Sequence, residues 1–247
     1  MRDRERQVAV ITGAASGIGS ATARLLAREG YDIACLDRDE ARLADLVAEL
    51  GVRHRSFCLD VCDEAAVVSA FREIVAWRGR IDALATCAGV VDTTEWAKLS
   101  TERFLEVLNV NVLGTFLPIR EAAAVMRPGS RICTVSSVAG IRGGGLAGTV
   151  AYAASKGGVI SLTKTLAREL GALGINVNGI APAVVRTPML DQTTTEPGQI
   201  ERFRGMTALR REGGAQEAAE AIVWFLSKRA SFITGTTLPV DGGLTML

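Results

Sequence analysis

The sequence predicts a single α/β domain in which a doubly wound parallel sheet carries helices on both faces. Three observations predict it. Short apolar runs alternate with longer segments of helical period almost to the end of the 247 residues. The runs are continuously apolar, which suits parallel strands covered on both sides. A glycine turn follows the first run and opens the first helical segment, as in ligand-binding α/β sheets. Hydrophobic residues make up 48% of the chain, ample for one core, and a single α/β domain can run to roughly 250 residues.

Taken in order, a strand over 7–12 gives way at the glycine turn to a helix over 17–29, whose Ala, Leu and Ile fall on one face. A strand over 32–37 follows, and Asp39 stands where the N-cap of a helix over 39–50 belongs. The strand over 55–60 leads through a second cap candidate, Asp63, into a helix over 63–78. After a strand over 81–87, Ser100 precedes a long helical segment over 101–127. A strand over 131–136, a helix over 151–173 and a strand over 175–180 continue the alternation. Residues 187–212, rich in Thr, Arg and Glu, show no clear element and are expected as a lid. A helix over 215–228 and a strand over 236–240 close the pattern. Nothing reads as a linker, a repeat or low complexity.

Composition excludes several activities. Lys and Arg number 28 against 27 Asp and Glu, a formal charge of +1, so no global field draws the chain to nucleic acid or a membrane surface. Residues 1–7 alternate charge with no apolar region behind them, unlike a signal peptide, and no apolar stretch nears the roughly 18 residues of a membrane span. Five cysteines (Cys35, Cys58, Cys62, Cys87 and Cys133), an odd number mostly in apolar surroundings, are expected as buried reduced thiols in a cytoplasmic compartment. The single histidine, His54, disfavours a metal site, and none is expected. With no Gly-x-Ser-x-Gly it also disfavours Ser-His-Asp hydrolysis. None of the lysines (Lys98, Lys156, Lys164 and Lys228) follows a glycine, which removes a Walker loop.

The first glycine turn is Thr12-Gly13-Ala14-Ala15-Ser16-Gly17-Ile18-Gly19. Strand, turn and helix together bring backbone N–H groups and a positive helix end to a pyrophosphate. A literal Gly-x-Gly-x-x-Gly at Gly143, Gly145 and Gly148 trails its strand and opens no helix directly, so a loop beside the active site is expected there. Asp37 ends the second strand, where a carboxylate accepts from both adenosine ribose hydroxyls and repels a 2′-phosphate of about −2 charge. It therefore favours NAD over NADP. Arg38 is the opposing signal, because a guanidinium would receive that phosphate.

Tyr152 and Lys156 open a helical segment, and a separation of four puts them on one face. A phenol with a pKa near 10 is a poor base at neutral pH. An adjacent ammonium favours phenolate, and a shift of about three units corresponds to roughly 4 kcal/mol. Tyr152 then takes the proton of an alcohol while nicotinamide takes the hydride, and gives it back in reverse. Ser136 and Ser137 end the fifth strand at the crevice, where either hydroxyl could hold the substrate oxygen or cap the turn.

The residues Thr12 to Gly19, Asp60-Val61, Cys87-Ala88-Gly89, Asn111, Ser137, Tyr152 with Lys156, Pro182 to Thr187 and Val240-Asp241-Gly242-Gly243 resemble, in order, the motifs of the short-chain dehydrogenase/reductase family. The resemblance spans essentially the whole chain. It implies that Ser137, which directly precedes Val-x-Gly, polarises the substrate. Asn111 is implied to kink a helix and hold a water that links Lys156 to solvent. Gly13, Ser16, Gly17, Ile18, Gly19, Asp37, Arg38, Cys87, Ala88 and Gly89 would follow the cofactor, with Asp60 and Val61 at the adenine and Pro182, Val185 and Thr187 at the nicotinamide end. Ser16 stands where NADP-dependent relatives often carry a basic residue. Three departures stand out: Cys87 replaces an Asn, Ala183 replaces a Gly, and the interval from Ser137 to Tyr152 is about two residues longer than usual, in 142–145. Cys87 is expected as a small buried hydrophobe rather than a nucleophile. A homo-oligomer, tetramer or dimer, is implied, through the helices near 101–127 and 151–173.

The expectation is thus one Rossmann domain over 1–247, with a seven-stranded parallel sheet in the order 3-2-1-4-5-6-7, a lid near 187–212, and its pocket walls in 143–148 and 187–206. Its activity would be NAD(H)-linked interconversion of a small-molecule secondary alcohol and ketone, with Tyr152 as general base and acid. An alternative is a 3-oxoacyl-thioester reductase, whose acidic carrier protein could meet Arg202, Arg204, Arg210 and Arg211. A rival from another class, an idle NAD-binding scaffold or sensor, should have lost Tyr152 or Lys156.

Overall fold

The computed structural model describes residues 6–145, 148–193 and 197–246. Parts of the glycine-rich loop (146 and 147) and of the expected lid (194–196) therefore lie outside the described residues. The strands are β1 (Val8–Thr12), β2 (Asp32–Asp37), β3 (Arg55–Cys58), β4 (Ala83–Thr86), β5 (Arg131–Val135), β6 (Asn176–Pro182), β7 (Val185–Arg186), β8 (Gly213–Gly214) and β9 (Thr237–Val240). The helices are α1 (Gly17–Arg28), α2 (Glu40–Leu50), α3 (Glu64–Arg78), α4 (Thr101–Leu108), α5 (Gly114–Ala123), α6 (Ala139–Arg142), α7 (Val150–Gly171), α8 (Pro188–Thr193), α9 (Gln199–Met206) and α10 (Ala215–Leu226).

Seven strands form one parallel sheet in the order β3-β2-β1-β4-β5-β6-β9, as the sequence predicts, with β9 as its seventh member. In β1, successive side chains point to opposite faces. Val8 and Val10 enter a core closed by α3, α5 and α7, whereas Ala9 and Ile11 enter one closed by α1, α2 and α10. Each large aliphatic side chain so buried stabilises by about 1.5–3 kcal/mol. Double cover fails at one edge. In β3, Arg55, Ser56 and Cys58 are exposed, so Cys58 departs from the expectation of buried thiols. An outermost strand has no neighbour to cover its far side.

Caps fix where the helices start above the sheet. Asp39, Asp63 and Ser100 accept from the backbone N–H groups of Arg42, Ala66 and Arg103 at 3.1, 3.0 and 3.2 Å. The helix expected over 101–127 is interrupted: a π turn, Asn109–Leu113, joins α4 to α5. The stretch 187–212, expected without regular structure, holds α8 and α9. The flanking pair β7 and β8 forms a second, two-stranded ladder, with Val185 opposite Gly213. Phe203 of α9 packs with Leu190 of α8 and Val184 in a small core of its own. Among the described residues no helix is long and apolar enough to cross a membrane.

Candidate active site

The carboxyl ends of β1, β2, β4, β5 and β6 border one cavity of about 550 Å3, at the point where strand order reverses between β1 and β4. Its floor is the first glycine turn. Gly13 has φ +67°, and a Cβ there would lie 2.6 Å from the Ala88 nitrogen, so turn and β4 end meet backbone to backbone. The Cys87 N–H donates to the Thr12 carbonyl at 3.2 Å and the Ala88 N–H to Thr12 Oγ1 at 3.3 Å. A Cβ at Gly19 would collide with the Gly13 carbonyl oxygen. Gly13, Ser16, Gly17, Ile18 and Gly19 all border the cavity, and the Ser16 side chain does not cap α1. The first N–H groups of α1 are thus available to an anion, and the cradle fits a pyrophosphate.

Asp37 stands in the wall beyond the turn with both oxygens anchored. Oδ2 accepts from the Ala15 N–H at 3.0 Å and Oδ1 from the Asp39 N–H at 3.1 Å. Arg38, Asp39 and Arg42 border the same end, with Arg42 turned to Asp39 at 3.4 Å. Leu59, Asp60 and Val61 continue this wall, and Asp60 is shaped by its own turn, accepting from the Cys62 N–H at 2.8 Å.

At the other end the two serines after β5 separate. Ser136 donates to the Lys156 carbonyl at 2.8 Å and is spent on holding α7. Ser137 accepts from the Ala139 N–H at 3.1 Å, and its hydroxyl lies near enough to the Tyr152 phenol to favour the ionised form. Strand end and helix can come this close because of Gly140, where a Cβ would lie 2.5 Å from the Lys156 carbonyl carbon. Tyr152 is buried, and burial pushes its phenol above the ordinary value, against the downward pull of Ser137. The sequence leads one to expect the ammonium of Lys156 to lower it. Instead Lys156 Nζ lies 5.8 Å from the ring centroid and donates to the Val135 carbonyl at 3.0 Å, and burial lowers its own pKa to about 8.

Asn111 lies in the π turn, fully buried. Its Oδ1 accepts from the Val90 N–H at 2.8 Å, and its Nδ2 donates to the Val90 carbonyl at 2.9 Å and to Ser155 Oγ at 2.8 Å. The side chain therefore ties the loop after β4 to α7. Cys87, Ala88 and Gly89 border the cavity together with Pro182, Val185 and Thr187. The Cys87 thiol is pushed up to about 12 by burial, so it stays neutral.

Some expectations need correction. Of the expected pocket segments, Thr187, Pro188, Met189, Leu190 and Thr193 border the cavity, while no described residue of 143–148 does. Gly148 instead packs against the Tyr152 ring, where a Cβ would lie 2.8 Å from Cγ. The lid arginines are engaged within the chain: Arg204 pairs with Glu212 at 2.8 Å, Arg211 with Glu217 at 2.7 Å, and Arg210 donates to the Gly205 carbonyl. His54 accepts from the Ile33 N–H through Nδ1 at 3.1 Å, a structural bond at the start of β2. Sequence inspection did not anticipate Arg103 and Glu106, which border the cavity from α4. Only their position one turn apart, past the Ser100 cap, could have signalled them.

Comparison with known proteins agrees with this geometry. The family model described as enoyl-(acyl carrier protein) reductase matches residues 13–245. An uncharacterized oxidoreductase, YgfF of Escherichia coli, is 38% identical, covering 96% of this chain and 99% of its own. The 3-oxoacyl-[acyl-carrier-protein] reductase FabG of Thermotoga maritima is 37% identical, with 98% of this chain and 99% of its own covered. Among solved structures, a short-chain dehydrogenase/reductase described as glucose/ribitol dehydrogenase, from Brucella melitensis, superimposes with a TM-score of 0.92 at 30% identity, covering 98% of this chain and 99% of its own. With a reversed-order sheet, a glycine cradle at its switch point and a match along nearly its whole length, the chain belongs to the short-chain dehydrogenase/reductase family of oxidoreductases.

Proposed function

We propose that the protein interconverts a secondary alcohol and a ketone with NAD(H), with Tyr152 carrying the proton. One observation carries this reading: Ser137, close enough to favour ionisation of the Tyr152 phenol, and buried Lys156 border the same cavity that presents the Asp37 carboxylate. Gly13, Ser16, Gly17, Ile18 and Gly19 would hold the pyrophosphate, and Asp37 the adenosine ribose, with Asp60 and Val61 at the adenine. Cys87, Ala88 and Gly89 would line the middle, and Pro182, Val185 and Thr187 the nicotinamide end. When bound, the nicotinamide supplies or accepts the hydride.

The protons fall to the chain. Ser137 donates to the substrate oxygen and holds it for Tyr152, which removes or returns the hydroxyl proton. Burial disfavours both the phenolate of Tyr152 and the ammonium of Lys156, and in this reading each charge, once formed, offsets part of that cost for the other. Asn111 fixes the Val90 peptide and Ser155, and through them the mutual placement of the loop after β4 and α7. Around the reacting end the wall includes Val138, Ala139, Val184, Met189 and Leu190. This favours a substrate that is neutral and apolar around its carbinol carbon.

The test is NADH formation across cyclic alcohols, sugar alcohols, steroids and hydroxyacyl thioesters, each repeated with NADP⁺. Turnover with NAD⁺ on at least one class supports the proposal, and preference for NADP⁺ overturns its cofactor assignment. Reduction of a 3-oxoacyl thioester is the second reading, favoured by the FabG relative's name. It is the preferred one if only the thioesters turn over. A cytoplasmic homo-oligomer, tetramer or dimer, completes the proposal, since Leu105, Leu113 and Val150 leave apolar surface exposed on α4, the π turn and α7. A monomer by sedimentation overturns that part.

A further inference from the structure

Helix α7 begins at Thr149, whose hydroxyl does not cap its own helix. It donates instead to the Thr94 carbonyl at 2.7 Å and the Asp92 carbonyl at 3.2 Å, and the Thr149 N–H also donates to Asp92 O at 2.9 Å. That corner, more than fifty residues earlier in the chain, is itself locked. Asp92 is buried; its Oδ2 accepts from Arg103 Nε at 2.7 Å and its Oδ1 from the Thr94 N–H at 3.0 Å. Arg103 also holds Glu106 at 2.8 Å and reaches the Val91 carbonyl at 3.4 Å. The residue before Thr149 is Gly148, whose backbone lies against the Tyr152 ring. An unbroken series of contacts thus runs from the cavity wall at Arg103, through Asp92 and Thr149, to the face of Tyr152.

We infer that Thr149, clamped by the Asp92 corner that Arg103 locks, is a positioning residue that sets the Tyr152 hydroxyl against Ser137. A side-chain cap that stabilises a helix by about 1 kcal/mol is forgone at the one helix start where Tyr152 lies three residues in, and the hydroxyl fastens that start to the loop bordering the cavity. Asn111 fastens the same loop two residues earlier, at Val90, so the loop is held at two points. The inference rests on the reading of Tyr152 as the proton carrier, and the experiment separates the two.

The chain has 2 tyrosines, Tyr31 and Tyr152, so in a Tyr31→Phe background the ultraviolet absorbance of tyrosinate reports Tyr152 alone. The groups facing that phenol are Lys156, Ser137 and the neutral thiol of Cys87 near Lys156. Thr149→Val and Thr149→Ser are each titrated in this background with NAD⁺ bound, and NADH affinity is measured by fluorescence. The valine is expected to move the midpoint upward by about half a unit or more and to lower kcat about tenfold, with NADH affinity within twofold. The serine, which keeps the hydroxyl, should restore both. A midpoint and kcat unchanged by the valine, or an equal fall in the serine variant, overturns the inference. If the valine variant does not fold, Arg103→Lys, which keeps the charge but loses the fork geometry, must show a smaller shift of the same sign, and no shift again overturns it. Full turnover by Tyr152→Phe sinks the reading of Tyr152 itself, whatever Thr149 does.

Discussion

The Ser136 hydroxyl donates to the Lys156 carbonyl at 2.8 Å, and the Lys156 ammonium returns to the Val135 carbonyl, next to Ser136, at 3.0 Å. Strand β5 and helix α7 are laced together by these two bonds, leaving Ser137 as the hydroxyl turned to Tyr152. The two serines should therefore fail differently. Ser137→Ala is expected to lower kcat by about 10²–10³-fold with little change in melting temperature. Ser136→Ala should cost about 1 kcal/mol of stability and leave most of kcat. Steady-state kinetics and thermal unfolding of both variants check the division, and equal kinetic losses contradict it.

Lys156 carries a stability signature of its own. Burial lowers its ammonium from 10.5 to about 8, so between those values the unfolded chain binds the proton more tightly than the folded one. The charge therefore costs the folded state roughly 3 kcal/mol below pH 8, and that cost fades as pH rises toward 10.5. Lys156→Met removes the titration. The stability of the variant minus that of wild type, from denaturant unfolding, should fall by up to about 3 kcal/mol from pH 7 to 10.5. A difference independent of pH contradicts it.

Asp37 has both oxygens fixed by the Ala15 and Asp39 N–H groups, so its negative charge cannot swing away from a 2′-phosphate. Asp37→Ala should weaken NAD⁺ about tenfold and raise kcat/KM for NADP⁺, as the opposing charge is removed and Arg38 is left in place. Unchanged NADP⁺ kinetics would falsify the carboxylate argument.

Glu212 binds Arg186 at 2.7 Å and Arg204 at 2.8 Å with its side chain 6% exposed, and so joins β7 to the end of α9. These arginines hold its carboxyl below the ordinary value, so the latch weakens only as pH falls through that lowered value. Glu212→Gln should speed hydrogen exchange in α9 about tenfold or more, in keeping with a charged hydrogen bond of roughly 1.5–3 kcal/mol. Substrate KM should rise, because Met189, Leu190 and Thr193 of α8 border the cavity. Exchange at the wild-type rate would show that the latch holds nothing.

Much of this was legible in the sequence for identifiable reasons. The strands of the main sheet announced themselves through continuous apolar runs, and Asp39, Asp63 and Ser100 through the chemistry of capping. The carboxylate and hydroxyls at strand ends followed from knowing where strands end. Where elements are short, the signal vanishes: β7 and β8 have two residues each, too few for any period, and α9 buries only Phe203. The π turn shows only through Asn111, a poor helix former whose bonds are tertiary. Nor does spacing reveal that Thr149 answers to Asp92, since that pairing exists only once α7 lies beside the loop after β4.

The central claim is that Tyr152 moves the proton. Its most direct test is Tyr152→Phe, which keeps the ring against Gly148 and removes the hydroxyl, measured by NADH formation on the best alcohol of the panel and by NADH binding. The account predicts a fall in kcat of about 10²–10⁴-fold with NADH affinity changed by less than a few fold. Turnover at the wild-type rate would contradict it.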